Sequence, residues 1–311
     1  MNRRHALGMA TGGTLAAGLS TLHAASRETK PRAAATGPAS PPALHSADGC
    51  GLFCQYWGTG RPVVLVHAWG LSSLMWGSQM QHLAAHGARC IAYDRRGHGR
   101  SDQPGRGYDM NTLADDLATV IDTLDLRDVI LIGHSMGGAE IIRYVGRHGS
   151  AKVAKIVLLA PFTPFFLQTS DNPHGVPAQA LEALRARWAV DFPSWVDENK
   201  MPFFLPGTAQ IAMDWVLTDM RTTSLPVLIA CNKTLAETDL RPDLARIDRP
   251  TLILHGDADA SAPLELTGRP TAAGIHNAVL RVLPGAPHGL YFTHAQQVNG
   301  EIAAFIGAEA A

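Results

Sequence analysis

Leu131–Glu140, which reads LIGHSMGGAE, decides the fold of this 311-residue chain. An apolar run leads into Gly-His-Ser-Met-Gly, and a helical pattern follows. The pentapeptide fits G-x-S-x-G, a motif in which the serine lies on a tight turn between a strand and a helix. Residues two before and two after the serine must be small, because larger side chains would clash in the turn. We therefore predict that Ser135 is held on a strained turn; a structural serine in a glycine-rich bend is the alternative.

A serine hydroxyl is a weak nucleophile at neutral pH, so Ser135 needs a base and an orienting acid. With G-x-S-x-G after a strand, these partners follow in the order Ser, Asp or Glu, His. His288 comes directly after AVLRVL, the last strand-like run. The acid is Asp257 or Asp259, both in HGDADASAP after the strand-like run PTLIL. Asp257 could instead tie down the turn, whereas Asp259 lies further out, where it could reach the imidazole.

The developing negative charge of such a reaction needs two backbone amides. One should come from Met136, the residue after the nucleophile, at the N-terminus of a helix whose dipole helps. The other should come from Trp69, in the loop HAWGLSS that follows the run PVVLVH. The Trp69 ring should also line the substrate pocket, together with His134, Phe162 and Phe165.

The order of apolar runs predicts an α/β fold with a mostly parallel, doubly wound sheet. Residues 47–161 and 246–311 alternate buried strand patterns with helical patterns and form the predicted core. Residues 162–245 are rich in aromatic residues and proline, which favours a helical cap inserted into that core over a peripheral extension of the sheet. Strands are expected at 62–67, 90–94, 128–133, 155–161, 250–256 and 278–284, and helices at 73–86, 112–126, 139–149, 177–190, 208–220 and 295–306.

The N-terminal region has a different character. Residues 1–25 place Arg3 and Arg4 before a weakly apolar, glycine-containing run, which indicates a twin-arginine export signal rather than a membrane span. Residues 26–46 are rich in proline and alanine and are predicted to be a linker. We expect a periplasmic or secreted protein without stable membrane insertion, or a cytoplasmic one if the leader is not functional.

The composition limits the partners. The formal net charge is −1, with 17% charged residues and no basic stripe, so nucleic-acid binding has no electrostatic support. Potential metal ligands do not cluster, and no G-x-G-x-x-G motif follows a strand, so neither a metal nor a cofactor is expected. His67, His98, His134 and His255 border strand ends or glycine turns, where hydrogen-bonded structural roles are more common than catalysis.

Five longer segments resemble those of a known family, so the similarity extends far beyond the pentapeptide. They are YDRRGHGRSDQP (93–104), TLADDLATVIDTLDLRDVILIGHSMGG (112–138), RYVGRHGSAKVAKIVLLAP (143–161), ETDLRPDLARIDRPTLILHGDADASAP (237–263) and GAPHGLYFTHAQQVN (285–299). With them the chain resembles the α/β-hydrolase superfamily, and within it the serine-type arylesterase and cofactor-free (non-haem) haloperoxidase branch. The resemblance implies an α/β-hydrolase fold, with Ser135 as nucleophile, Asp259 as acid, His288 as base and the Trp69 and Met136 amides as oxyanion donors.

Two positions depart from that branch. It usually has His-Gly where this chain has His67-Ala68, and alanine does not take a positive φ without strain. The residue before the nucleophile is usually Phe, whereas here it is His134. The cap matches the family weakly.

We expect a serine hydrolase that cleaves carboxylic esters, lactones included, of small apolar or aromatic substrates through an acyl-enzyme. The alternatives on the same fold are a cofactor-free haloperoxidase or perhydrolase using hydrogen peroxide, a carbon–carbon hydrolase, or a cofactor-free dioxygenase. A catalytically inactive binding module is the alternative from a different class. The expected partner is a small molecule, and a homo-oligomer is compatible with the sequence.

Overall fold

The computed structural model describes residues 43–307. The strands are β1 (Leu44–His45), β2 (Gly51–Leu52), β3 (Cys54–Trp57), β4 (Arg61–Val66), β5 (Ala88–Tyr93), β6 (Val129–His134), β7 (Val153–Leu159), β8 (Thr251–Gly256) and β9 (Ala278–Leu283). The helices are α1 (Gly77–Ala85), α2 (Met110–Thr123), α3 (Met136–His148), α4 (Ala178–Asn199), α5 (Gln210–Met220), α6 (Leu225–Glu237), α7 (Arg241–Leu244), α8 (Gly268–Gly274), α9 (Leu290–Thr293) and α10 (Ala295–Ile306). Short 3-10 helices lie at Ser73–Trp76 and Met201–Phe203.

The central sheet has seven strands in the order β3-β5-β4-β6-β7-β8-β9. β3 pairs antiparallel with β5, and every other pair in this sheet is parallel. The predicted α/β-hydrolase fold with a mostly parallel sheet is therefore confirmed. The runs VVLV of β4 and VILIGH of β6 are wholly buried, as expected for strands covered on both faces.

The topology determines where a site can form. From β4 the chain passes to β5 on one side, and the later strand β6 pairs on the other side of β4. Loops after β4 and β6 therefore leave the sheet in opposite directions, and a crevice opens at the carboxyl ends of these strands. Trp69 follows β4 and Ser135 follows β6, so both lie at this switch point.

The segment between β7 and β8 differs from the predicted cap in three respects. Helix α6 was not predicted. Helix α4 is longer than expected and passes through a kink at Asp191 (φ −151°, ψ 77°), where Pro193 lacks an N–H and the Asp191 carboxylate accepts from the Ser194 amide. Helix α7 packs on α3 and α8 of the core, so the core resumes at Arg241 rather than at 246.

Two further expectations were wrong in detail. Leu44 is buried and pairs with Leu52 in the β1–β2 hairpin, so the last residues assigned to the linker belong to the core. Helix α2 starts at Met110 rather than at 112, with Asp109 as its N-cap, which accepts from the Thr112 amide at 3.0 Å. The helix begins earlier than predicted because the Asp109 side chain reaches the amide three residues on.

The predicted export signal at 1–25 and most of the predicted linker lie outside the described residues, and export stays a prediction. Among residues 43–307, no helix has the length and apolar character needed to cross a bilayer.

Candidate active site

The turn that carries Ser135 is strained and very tight. Ser135 has φ +53° and ψ −112° between the last residue of β6 and the first of α3. A Cβ on Gly137 would lie 2.1 Å from the Val66 carbonyl oxygen, and one on Gly133 would lie 2.6 Å from the Gly137 backbone. The prediction that both positions must be glycine-like is therefore confirmed by the contacts around them.

Three side chains from separate loops meet at this turn. His288 Nε2 lies 3.0 Å from Ser135 Oγ, and His288 Nδ1 lies 2.7 Å from Asp259 Oδ2. All three residues are buried. The other candidate acid, Asp257, accepts from the Gly285 amide at 2.6 Å and ties the loop after β8 to the loop after β9. The structure thus selects Asp259 as the partner of the imidazole and gives Asp257 a structural role.

Asp259 is held as a carboxylate. Burial alone would raise its pKa, but the facing His288, hydrogen bonds from His255 and His288, and the Ala262 amide together hold the pKa well below its ordinary value. Its Oδ1 accepts from the amides of Ser261 at 2.9 Å and Ala262 at 2.7 Å. A carboxylate anchored in this way can fix the tautomer of His288, with the proton on Nδ1 and Nε2 free to accept from the serine.

His134 supports the loop after β9, which carries His288. Its Nε2 donates to the His288 carbonyl oxygen at 2.8 Å, and the side chain is fully buried. The prediction that His134 lines the substrate pocket is wrong, because its side chain is directed at the loop after β9 instead of at the cavity. Cap residues also hold this loop, since the amides of His288 and Gly289 donate to the carbonyls of Pro202 and Phe203 at 3.4 and 3.1 Å.

Two backbone amides beside Ser135 are available as donors. Within residues 43–307, neither the Met136 nor the Trp69 N–H has a protein acceptor. Met136 is the first residue of α3, so its amide is one of the groups that a helix leaves unsatisfied. The loop after β4 takes its left-handed turn at Gly70 (φ +72°), and Ala68 is not among the described residues with positive φ. The alanine that replaces the family's usual glycine is therefore accommodated without strain.

A cavity of about 320 Å³ opens over Ser135 and His288. Trp69 and Phe162 line it, as predicted, but Phe165 does not. The Phe165 ring lies 5.0 Å below the Arg241 guanidinium, and Phe166 takes its place in the wall, packed on Phe162 at 4.2 Å between ring centroids. The remaining aromatic lining comes from the cap: Trp188, Trp195, Phe203 and Phe204. The sequence signalled these residues only as an aromatic-rich segment.

Comparison with known proteins agrees with the geometry. Residues 63–301 match the alpha/beta hydrolase family, and the chain belongs to that family. It is 40% identical over 272 residues to a non-heme haloperoxidase of Rhodococcus erythropolis, covering 85% of this chain and 99% of the relative. It is 35% identical over 277 residues to the bifunctional esterase/perhydrolase DCH of Acinetobacter calcoaceticus, covering 83% and 97%.

Solved structures give the same result. A bromoperoxidase from Bacillus anthracis superposes with a TM-score of 0.81 at 33% identity, covering 85% of this chain and 99% of that one. An esterase from Exiguobacterium antarcticum superposes with a TM-score of 0.82 at 29% identity, covering 86% and 100%.

Within the described residues, no three metal-ligating side chains form a cluster.

Three buried histidines around the site stay neutral in the folded protein. Burial lowers the pKa of His134 to about 3, with a further contribution from His288. Burial and the Arg95 charge lower the pKa of His98 to about 3 and that of His67 well below its ordinary value. In the unfolded chain each would titrate near pH 6.5. Below that pH the unfolded state binds more protons, so stability must fall as the pH falls.

We predict that, between about pH 6 and pH 4.5, each of these histidines lowers the free energy of unfolding by about 1.4 kcal/mol for every unit by which the pH falls. Replacing one of them isolates its contribution. In His134→Phe, which installs the residue usual in this branch, the slope should be shallower by that amount. Urea unfolding of both proteins across this range measures it. Carboxylates that titrate in the same range contribute equally to both proteins, so identical slopes would contradict the prediction.

Proposed function

We propose that the protein is a serine hydrolase that cleaves carboxylic esters of small apolar or aromatic substrates through an acyl-enzyme. The observation that carries the proposal is the hydrogen-bond chain Ser135–His288–Asp259, with distances of 3.0 and 2.7 Å, beside a cavity with mostly apolar walls. The two unoccupied amides of Trp69 and Met136 add the donors that acyl transfer needs.

The geometry supports a two-step reaction. Ser135 Oγ attacks the substrate carbonyl while its proton passes to His288 Nε2, and the Trp69 and Met136 amides stabilise the oxyanion. The imidazolium, paired with Asp259, then donates its proton to the departing alcohol and leaves the acyl group on Ser135. Water attacks the acyl-enzyme with His288 as base, and the acid is released as the proton returns to Ser135.

The cavity supports a small substrate. Its volume of about 320 Å³ is at the low end of small-molecule sites, and rings of Trp69, Phe162, Trp188 and Phe203 contribute to its wall. Such walls favour short acyl chains and aryl leaving groups, because apolar burial is their main source of affinity. Lactones fit the same chemistry as cyclic esters.

The central test is Ser135→Ala, assayed with p-nitrophenyl acetate and butyrate. We expect kcat to fall by about 10⁴-fold or more, because the nucleophile is lost while the cavity remains. Ser261→Ala is the matched control, since Ser261 is another serine in the cavity wall and only its backbone amide bonds to Asp259. It should retain turnover within a few-fold. Wild-type turnover by Ser135→Ala would rule out the proposed mechanism.

Perhydrolysis is the second candidate, favoured by relatives named haloperoxidase and bifunctional esterase/perhydrolase. It uses the same acyl-enzyme. Hydrogen peroxide in place of water would attack the acyl group, release a peracid and restore the Ser135 hydroxyl. The peracid would then oxidise bromide to hypobromite outside the site and return to the carboxylic acid.

Bromination of monochlorodimedone in acetate, peroxide and bromide should therefore depend on Ser135. We expect activity in the wild type, loss in Ser135→Ala, and loss when acetate is replaced by a buffer without a carboxylate. Absence of bromination by an enzyme that hydrolyses esters would remove the second candidate and leave the first intact.

A further inference from the structure

We propose that Asp219, in cap helix α5, is a positioning residue that sets the Trp69 amide for oxyanion binding. The proposal rests on the function proposed above. It concerns the loop of residues 67–73, here called the oxyanion loop, which runs from the end of β4 to the first 3-10 helix. The loop is held by the core at its beginning and by the cap from Trp69 to Ser72.

The core holds the beginning of the loop through one buried residue, Arg95. Arg95 Nη2 donates to the His67 carbonyl oxygen at 2.7 Å, Arg95 Nη1 donates to the Ala68 carbonyl oxygen at 3.3 Å, and the Arg95 amide donates to His67 Nε2 at 2.9 Å. Arg95 is in turn paired with the buried Glu140 of α3. This half of the loop is therefore fixed by the same helix that begins at Met136.

The cap holds the segment from Trp69 to Ser72. Asp219 accepts two hydrogen bonds from Ser72, one from the amide to Oδ2 at 2.8 Å and one from the hydroxyl to Oδ1 at 2.6 Å. Thr223, just after α5, donates to the Gly70 carbonyl oxygen at 3.3 Å. Asp219 is buried, with 9% of its surface exposed, so these contacts are shielded from competing water.

The ring of Trp69 is also part of the cap. Its indole Nε1 donates to the Leu228 carbonyl oxygen of α6 at 2.8 Å, and the ring packs against Trp188 at 5.2 Å and Trp195 at 6.4 Å between centroids. The Trp69 amide thus lies between core contacts on one side and cap contacts on the other. The core also holds the far end of the loop, where the Ser73 amide donates to Asp94 Oδ1 at 2.7 Å, so removing the cap contacts would loosen the segment from Trp69 to Ser72 between two fixed ends.

Oxyanion stabilisation depends on how rigidly the donor amide is held. A donor helps only when it is already aimed at the position that the oxyanion will occupy, and a loose donor loses much of its effect. Asp219 forms the shortest of the cap contacts to the loop backbone through a charged acceptor, which makes it the strongest of them. The cap therefore does more than wall the cavity, because it completes the support of the reacting site.

The test compares Asp219→Ala with Asp219→Asn. Asparagine keeps an oxygen for the Ser72 amide and offers an N–H to the Ser72 hydroxyl, so it should restore much of the lost rate. For Asp219→Ala we expect kcat on p-nitrophenyl butyrate to fall by about 10- to 100-fold, less than the loss of a whole donor, with KM changed by less than about threefold. The inhibition constant of an aryl trifluoromethyl ketone, which forms a tetrahedral oxyanion on the nucleophile, should rise in parallel with the loss of kcat/KM.

Thr234→Val is the matched control. Thr234 Oγ1 accepts from the Met110 amide at 3.0 Å, which joins cap helix α6 to core helix α2 away from the oxyanion loop. This variant should lose thermal stability but keep kcat and the inhibition constant. If it lost kcat in proportion to its loss of stability, as Asp219→Ala did, the effect at Asp219 would be merely structural and the proposal would be overturned.

Trp69→Phe provides a second route should Asp219→Ala fail to fold. It removes the donor to Leu228 but keeps the backbone amide and an aromatic ring, and we expect the same selective loss of kcat and of trifluoromethyl ketone binding. Wild-type values for Asp219→Ala, or for Trp69→Phe if Asp219→Ala does not fold, would overturn the proposal. This failure differs from failure of the proposed function, in which Ser135→Ala itself retains turnover.

Discussion

The close approach of helix α3 to the end of strand β4 is the constraint on which the rest of the site depends. Gly137 brings the helix backbone so near the Val66 carbonyl that even a methyl group would have to displace it. This contact forces Ser135 into a positive φ and projects its hydroxyl at the sheet edge. Met136, the first residue of the helix, follows Ser135 directly, so its free amide lies next to the nucleophile. The nucleophile and one of its two amide donors thus result from the same backbone contact.

The parallel sheet and the cap supply the remaining parts of the site in different ways. The sheet brings Asp259 and His288 to the same edge, because both follow strands that end there. The cap does not contribute to the triad, yet its backbone accepts hydrogen bonds from the His288 loop and its side chains hold the oxyanion loop. The neutral, buried His134 fixes the His288 backbone through its carbonyl oxygen. Substrate binding and catalytic geometry therefore share the same cap helices.

Hydrophobic periodicity and the order of motifs along the chain predicted the fold and most of the catalytic residues, but the direction of individual side chains could not be predicted from the sequence. Continuous buried runs identified the parallel strands. Chain order identified Ser135 and His288 and limited the acid to Asp257 or Asp259, because carboxyl ends of parallel strands share an edge; the choice of Asp259 came from the family resemblance. Pattern does not state where a side chain points, so His134 and Phe165 were wrongly placed in the pocket. Helix α6 escaped prediction because LPVLIAC is apolar without a helical stripe. The cap contacts to the oxyanion loop join residues about 150 positions apart and leave no local signal.

The turn at residue 135 presents an activated nucleophile. Covalent labelling with a fluorophosphonate, followed by mapping of tryptic peptides, tests it most directly. We expect a single adduct in DVILIGHSMGGAEIIR, residues 128–143, located on Ser135 and greatly reduced in His288→Ala. An unlabelled wild-type protein, or an adduct on another residue, would contradict it.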